Sequence, residues 1–274
     1  MSAAIGLVVL LLGAGGATYW YLEGGDDALD FTVASPVEDV ASSPPAPQEL
    51  EEPPPEPFLP DPLPETETEP EPISEPPPAA SLDESDDPFR QEVDSAATHP
   101  LAAQVLRRSD LIRTLVTSTV EVAEGRTPRK RFDYLEPKAP FEVRGNLTYL
   151  RAEPQSYTRY DTLVDAFSAL DTTALMLAYE RFEPLFDEAY AELGYPGEDF
   201  DDMVEAAVDV LLQVPVLSKE PALIPRAKTY AFEDPALEGL SSAQRQLLRM
   251  GPRNVRRAQQ KLQELKSLLR ARRQ

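Results

Sequence analysis

FEPLFDEAYAELGYPGEDF, residues 182–200, combines aromatic residues at helical spacing with a helix stop and a new acidic start. Apolar residues recur every three or four positions over residues 175–193, which places them on one stripe of a helix. Tyr179, Phe186 and Tyr190 widen that stripe, so we expect the helix to contact neighbours on more than one side. The aromatic residues could line a ligand pocket, but such side chains are more often core. The pattern therefore predicts the central helix of a mainly α-helical domain.

The residues around this pattern are typical of helix boundaries. Asp171 is followed by two threonines and can accept hydrogen bonds from the free first-turn N–H groups. Gly194 can adopt the left-handed conformation that ends a helix, and Pro196 prevents continuation. Pro184 lies inside the pattern, where it removes one backbone donor and clashes with the preceding turn. We therefore expect a kink at Pro184 or a break into two helices.

Few residues in this chain are suited to catalysis or metal binding. There is no Cys, and the single His, His99, cannot form a histidine cluster, so thiol chemistry and Cys-based metal sites are excluded. The acidic group after the helix stop could bind a hard cation, but the helix dipole alone favours carboxylates there, and the EF-hand pattern is absent. We predict no catalytic residues, no metal site and no cofactor. The acidic group consists of Glu198, Asp199, Asp201 and Asp202.

The net charge of −22 is distributed unevenly along the chain. Residues 30–88 hold 17 acidic residues and 17 prolines without any Lys or Arg. This composition has too few apolar residues to form a core, so residues 24–88 are predicted to be a disordered, acidic, Pro- and Glu-rich linker. Residues 89–274 are close to neutral, with 28 acidic and 26 basic residues. We therefore assign the folded helical domain to residues 89–274.

Residues 3–22 are uncharged and long enough to cross a bilayer as one helix. Residues 19–21 are aromatic and end this run, as expected at the headgroup layer. A cleaved signal peptide is the alternative, but its basic first region is missing. We expect an uncleaved transmembrane anchor over residues 1–23, in a bacterial inner membrane. No Lys or Arg precedes Arg90, and a loop without basic residues crosses the membrane more readily, so we expect a single-pass protein with a periplasmic domain.

Most of the domain shows helical periodicity, and two segments do not. Residues 141–150 alternate around Arg144–Asn146, which predicts a small β-hairpin. Residues 223–232 are extended, and Pro225 would place them at a sheet edge. Together these patterns predict a compact multi-helix domain with a small β-hairpin. Helices are expected after Asp86, Asp110 and Pro154, from Met203 to Leu212, after the capping-box pair Ser241 and Gln244, and after Pro252.

Basic residues are concentrated in two places. Residues 126–131, RTPRKR, could hold a phosphate, a lipid headgroup or a carboxylate-rich partner, or they could remain solvated. Residues 245–274 carry ten basic residues and one acidic residue. We expect this last helix to dock on the domain with its arginines in solvent. No aromatic platform or known nucleic-acid motif accompanies them, so we expect no nucleic-acid partner.

The best candidates for a small-ligand or catalytic site are two tyrosines, an arginine and an aspartate close together in sequence, with two arginines of the basic loop. Arg and Tyr side chains can hold an anion while an Asp acts as a base. In a simpler interpretation, Arg159 and Asp161 form an ordinary ion pair and the tyrosines belong to the core. The candidate ligand-binding residues are Tyr157, Arg159, Tyr160, Asp161, Arg129 and Arg131.

Four segments of the domain resemble one known family. They are DLIRTLV at 110–116, SYTRYD at 156–161, EAYAELGYP at 188–196 and LLRMGPRN at 247–254. Their order and spacing are similar to those of the bacterial membrane proteins grouped as domain of unknown function 3014 (DUF3014). The resemblance implies a single membrane span, a Pro-rich linker and one domain. It implies no catalytic or binding residues, because none is established for the family.

These features favour an uncharacterised, membrane-tethered envelope protein that is not an enzyme. Its domain would act as an interaction or scaffold module for another protein or a cell-wall component, with residues 3–22 in the membrane. An enzyme or small-ligand binder is the first alternative, which the absence of a convergent reactive site makes less favoured. Cytoplasmic nucleic-acid binding through the basic C-terminal helix is the second alternative, and it requires the opposite membrane orientation.

Overall fold

The computed structural model describes residues 81–128, 131–146, 149–227 and 229–274. The predicted anchor and most of the predicted linker lie outside these residues. Within them, no helix is both long enough and apolar enough to cross a membrane. The domain boundary predicted at residue 88 falls inside the first helix, and Leu82 already has a buried side chain. The fold therefore begins before residue 89, with the last acidic residues of the predicted linker in the first helical turn.

The described residues form a mainly α-helical domain with one small β-sheet. Two short 3-10 helices occur in them, at Leu82–Glu84 and Asp133–Leu135. The helices are α1 (Asp86–Asp94), α2 (Pro100–Leu106), α3 (Leu111–Ala123), α4 (Pro154–Thr158), α5 (Asp161–Ser168), α6 (Thr172–Glu192), α7 (Phe200–Leu212), α8 (Pro235–Glu238), α9 (Ser242–Leu248) and α10 (Pro252–Arg272), and the strands are β1 (Val143–Asn146), β2 (Tyr149–Ala152), β3 (Leu223–Arg226) and β4 (Thr229–Phe232).

Helix α6 occupies the centre of the domain. It packs against α1, α3, α7 and α10, and the side chains of Tyr179 and Phe186 are completely buried. At its start the Asp171 carboxylate accepts hydrogen bonds from the N–H groups of Thr173 and Ala174. At its end Gly194 has a φ of +100°. The predicted central helix and both of its boundaries are therefore confirmed.

Pro184 lies inside α6 without interrupting it. The helix is continuous from Thr172 to Glu192, so the predicted alternative of two separate helices is wrong. The ring of Pro184 faces solvent, whereas Phe182, Leu185 and Phe186 beside it are buried. Burial of these three side chains, at about 1.5–3 kcal/mol each, offsets the roughly 3 kcal/mol that an interior proline costs.

The four strands form one antiparallel sheet in the order β1-β2-β3-β4. Strands β1 and β2 form the predicted hairpin. Residues 223–232, predicted as one extended segment, instead fold back as a second hairpin of β3 and β4. The two hairpins join where Leu150 pairs with Leu223. Pro225 therefore lies in an inner strand, two residues beyond that pairing, and not in an edge strand.

The first hairpin turns later than predicted. Arg144, Gly145 and Asn146 were the predicted turn, and they lie in β1, where they pair with β2. The Asn146 side chain accepts a hydrogen bond of 3.1 Å from the Tyr149 N–H, a local bond that favours chain reversal just after β1. Gly145 fits within the strand at a φ of +109°, where a Cβ atom would lie 1.8 Å from the Tyr149 carbonyl oxygen.

Candidate functional site

The predicted ligand residues Tyr157 to Asp161 lie at a break between two helices. The single helix expected after Pro154 is divided into α4 and α5, with Arg159 and Tyr160 between them. Tyr160 is completely buried, and Tyr157 is partly buried. Burial raises the pKa of the Tyr157 hydroxyl to about 12, and it raises the pKa of Tyr160 as well. Both tyrosines therefore stay neutral and pack as part of the core or its margin.

Asp161 connects this break to the start of α10. Its Oδ2 accepts a hydrogen bond of 3.0 Å from Arg253, and its Oδ1 accepts one of 2.9 Å from the Asn254 side chain. Asn254 also donates to the carbonyl of Tyr157, at 3.3 Å. Both carboxylate oxygens of Asp161 thus bind the start of α10. The role of Asp161 in this structure is to attach that helix.

Arg159 has partners other than Asp161. Its guanidinium donates to the carbonyl of Ala139 at 3.1 Å and to the hydroxyl of Tyr160 at 2.8 Å. It also lies over the rings of Phe141 and Tyr160, at 5.4 and 4.8 Å from their centroids. These aromatic and carbonyl contacts hold Arg159 against the sheet side of the break, away from the carboxylate predicted to pair with it.

Of the two predicted arginines from the basic loop, the structure describes Arg131 only. Arg129 lies outside the described residues. Arg131 lines a surface cavity whose described wall contains none of residues 157–161. Its Nε is 3.6 Å from a carboxylate oxygen of Glu121, which is an ion pair but too long for a hydrogen bond. Arg131 therefore lies at a cavity separate from residues 157–161, and a role for Arg129 beside them stays a prediction.

This cavity, which we call the arginine cavity, has a volume of about 550 Å³. It lies between the loop that joins α2 to α3 and the segment around the second 3-10 helix. Three arginines line it, and its described wall includes no Asp or Glu. Three residues that carry a hydroxyl group and several apolar side chains complete the wall. The lining residues are Val105, Arg107, Arg108, Ser109, Leu111, Thr114, Leu115, Arg131, Phe132 and Tyr134.

Tyr134 adds a polar group to the wall of the arginine cavity. The Arg108 guanidinium lies over its ring, 4.5 Å from the centroid. The Tyr134 hydroxyl is buried and has no hydrogen-bond partner among the described residues. Burial raises its pKa to about 12, although Arg108 partly opposes that shift. The hydroxyl is therefore protonated at neutral pH and remains able to donate a hydrogen bond.

Arg107 and Arg108 were not selected from the sequence. They directly precede the predicted helix start at Ser109 and Asp110, where basic residues are usually solvated. In the structure both are exposed, and Arg107 has no acidic partner among the described residues. Only packing of the α2–α3 loop beside Phe132 brings them close to Arg131, which is more than twenty positions further along the chain. A pair of adjacent arginines was the one available signal.

Three of the four residues in the acidic group after α6 pair with arginines of the same domain, and Glu198 accepts a hydrogen bond of 3.5 Å from the Tyr190 hydroxyl. Asp199 caps α7 by accepting a hydrogen bond from the N–H of Asp201. Arg273 pairs with Asp199 at 3.0 Å and with Asp202 at 2.7 Å. Asp201 is buried and pairs with Arg272. Within the described chain, no group of three or more His, Cys, Asp or Glu residues is arranged to hold a metal ion.

The C-terminal helix α10 docks on the domain as predicted, with Val255, Leu262 and Leu269 buried. The expectation that its arginines point into solvent is wrong for its last turns. Arg272 is 18% exposed and pairs with Glu183 of α6 and Asp201 of α7. Lys266 pairs with two carboxylates of α7, whereas Arg270 stays 58% exposed although it pairs with Glu205. These pairs form because α6 and α7 are acidic, so the basic stripe of α10 neutralises the faces on which it packs.

The family described as protein of unknown function (DUF3014) matches residues 111–266. The chain belongs to this family. The DUF3014 match runs from α3 to near the end of α10, so it contains Arg131 and Tyr134, while Arg107 and Arg108 lie just before it. No curated protein and no solved structure matches the chain.

The four segments that resemble DUF3014 contact one another in pairs. Arg113, in the first segment, forms a two-bonded ion pair with Glu192 in the third, at 2.7 and 3.0 Å. Asp161, in the second, binds Arg253 and Asn254 in the fourth. The segments therefore have a direct structural role in this DUF3014 domain, where they fasten helices that are distant in sequence.

Proposed function

We propose that this DUF3014 protein is a membrane-tethered, non-enzymatic interaction module of the bacterial envelope, and that the arginine cavity binds a phosphate or carboxylate group of its partner. One observation carries the proposal. Three arginines line a cavity whose described wall contains no carboxylate. Arg107 and Arg108 have no acidic partner among the described residues, whereas Arg131 pairs with Glu121 beside the cavity, at 3.6 Å.

The chemistry of these groups favours an oxyanion. A guanidinium presents a planar fork of N–H donors that matches two oxygens of a carboxylate or phosphate. Arg108 is held over the Tyr134 ring, so less side-chain freedom is lost when it binds. The Tyr134 hydroxyl itself is buried, so Tyr134 contributes by holding Arg108 over its ring and not as a donor to the anion.

The size of the cavity favours a small group over a broad surface. About 550 Å³ lies within the range of pockets that hold a small ligand or a side group of a larger one. Val105, Leu115 and Phe132 supply apolar wall, so a ligand with a short apolar part next to its anionic group fits best. The predicted linker, at roughly 3.1 Å per residue if extended, would let the domain meet such a partner away from the bilayer.

The test is a titration of the full chain, held in detergent-free nanodiscs of zwitterionic lipid, with three probes. Isothermal calorimetry at low ionic strength measures the binding. Inorganic pyrophosphate represents phosphate, citrate represents carboxylate, and vesicles containing phosphatidylglycerol represent a lipid headgroup. We expect Arg107→Ala to weaken pyrophosphate or citrate binding about tenfold, because a hydrogen bond between charged groups contributes roughly 1.5–3 kcal/mol.

Arg256→Ala is the matched control, since Arg256 is an exposed arginine of α10 outside the cavity. Its affinity for each probe should stay within about twofold of the wild-type value, because screened charges away from the site contribute little. Binding by vesicles alone would identify a lipid headgroup as the source of the anion. Absence of binding by every probe, or an equal loss in both variants, would contradict the proposal.

A further inference from the structure

Helix α1 holds the loop that carries two of the three cavity arginines. The loop is residues 107–110, between α2 and α3. Arg90 of α1 donates through Nε to the carbonyl of Leu106 and through Nη2 to the carbonyl of Arg108, the latter at 3.1 Å. Asp86 of α1 accepts hydrogen bonds from the N–H groups of Asp110 and Leu111, both at 2.8 Å.

These bonds supply partners that the neighbouring helices cannot provide. The last carbonyls of α2 have no donor within their own helix, and the first N–H groups of α3 have no acceptor within theirs. The cation of Arg90 lies at the carboxyl end of α2, and the anion of Asp86 lies at the amino end of α3, as the helix dipoles favour. Asp110 has a φ of +54°, which is uncommon for a residue other than glycine. Both ends of the loop are thus fixed by α1.

The opposite side of α1 is anchored in the core. Phe89 is completely buried and makes edge-to-face contacts with Phe182 and Phe186, with ring centroids 5.3 and 5.8 Å apart. Glu92 pairs with Arg181 of α6 at 2.6 Å. Helix α1 therefore connects the central helix to the cavity loop. It is also the first α-helix after the predicted linker.

We infer that docking of α1 controls anion binding by the arginine cavity, with Asp86 and Arg90 as positioning residues that never touch the anion. This inference rests on the proposed function and adds its regulation. With α1 docked, Arg107 and Arg108 project from a fixed backbone. When α1 is displaced, the loop and the two residues that flank it lose four hydrogen bonds, and the arginines no longer converge. By linkage, a bound anion stabilises the docked position of α1 to the same extent.

The direction in which one substitution changes the affinity for pyrophosphate distinguishes this inference from a purely electrostatic effect. Asp86→Ala removes a negative charge near an anion site, so the change in charge alone predicts tighter binding of pyrophosphate. Loss of the loop's hydrogen bonds predicts weaker binding. We expect the dissociation constant for pyrophosphate to rise about fivefold or more, which is the range of typical coupling between sites.

Asp94→Ala is the matched control, because Asp94 is an exposed aspartate of the same helix. It should leave the dissociation constant unchanged. Circular dichroism of each full-length variant establishes that it is folded. Should Asp86→Ala fail to fold, Asp86→Asn retains one acceptor oxygen and the side-chain shape, and it should weaken binding by a smaller factor.

Hydrogen exchange in the wild-type chain gives a second readout. The amide protons of Asp110 and Leu111 should exchange more slowly when pyrophosphate is present, and the amides of α1 should be protected with them. If Arg107→Ala weakens pyrophosphate binding and Asp86→Ala does not, the role of α1 would be overturned, while the cavity would still be the anion site. A wild-type chain that binds no probe would overturn both proposals, and unchanged α1 protection on binding would overturn the coupling alone.

Discussion

Replacement of Arg272 with alanine removes the cation that pairs with a buried carboxylate. Asp201 is 1% exposed, and its Oδ1 accepts a hydrogen bond of 2.6 Å from the Tyr179 hydroxyl. Arg272 pairs with its Oδ2, and it also binds both oxygens of Glu183, at 2.8 and 3.1 Å. Burial lowers the pKa of Arg272, but hydrogen bonds to Glu183 and Asp201 outweigh that effect and raise it above its usual value.

The expected decrease in the free energy of unfolding depends on how exposed the two side chains of the ion pair are. Removal of one member of a buried ion pair costs roughly 3–5 kcal/mol, because the other charge is left without a partner. The Arg272 side chain is 18% exposed and lies in the last turn of α10, which can loosen and admit water to Asp201. We therefore expect Arg272→Ala to lower the free energy of unfolding by about 3 kcal/mol, the low end of that range. For a domain of this size, the melting temperature should fall by about 6–12 °C.

Urea and thermal unfolding of the full chain, followed by circular dichroism, measure this change. The control is Arg270→Ala, two residues away on the same helix, where the side chain is 58% exposed and pairs with Glu205. Exposed pairs contribute about 1 kcal/mol or less. Asp201→Asn in the Arg272→Ala background should recover part of the loss, because it removes the unpaired buried charge.

Two results would refute this reasoning. Equal destabilisation by Arg272→Ala and Arg270→Ala would mean that burial of Asp201 does not set the cost. A further loss on adding Asp201→Asn would mean that the carboxylate is stabilised by its other contacts without the arginine.

Other perturbations test separate parts of the structure. Gly251→Ala should destabilise the domain by about 1–3 kcal/mol, since Gly251 has a φ of +84° and a Cβ there would lie 2.7 Å from the Tyr157 ring; Gly194→Ala, at a φ of +100° in open space, should cost less in the same urea titration. At alkaline pH the folded state should lose stability, because burial raises the pKa of Tyr134 and Tyr157 to about 12, whereas unfolded tyrosines titrate near pH 10. The folded chain then binds more protons than the unfolded chain, so stability present below about pH 10 declines towards pH 12; tyrosinate absorbance that titrates entirely near pH 10 would contradict this. A reporter active only outside the cytoplasm, fused after Gln274, should be active, and activity of a cytoplasmic reporter instead would reverse the predicted orientation.

Local patterns predicted the longer helices, but they predicted neither the break between α4 and α5 nor which helices pack together. The cap at Asp171, the stop at Gly194 and the capping box of Ser241 depend on residues within a few positions, and the structure contains all three. Continuity of α6 through Pro184 depends on burial against α1 and α7, which no local rule contains. The second hairpin was missed because Pro225 suggested an edge strand and obscured the reversal after it.

The candidate site shows the same division more sharply. Tyr157 to Asp161 attracted attention because reactive residue types are adjacent in sequence, yet the structure uses Asp161 to attach α10. The arginine cavity was missed because Arg107 and Arg131 converge only after α2, α3 and the segment near Phe132 have packed. Residues that are adjacent in sequence could be recognised as potentially reactive. Residues that converge only in space could not be identified before the tertiary fold was known.

The docking of α10 has a consequence for the order in which the chain is made. Helix α10 packs against α5, α6 and α7, and it follows all three in the chain. Until it has been synthesised, these helices have no cover for the apolar surface that Val255, Leu262 and Leu269 later bury. The domain therefore completes its core only after nearly all of it has left the ribosome. Loss of α10 would therefore expose apolar surface on three other helices at once.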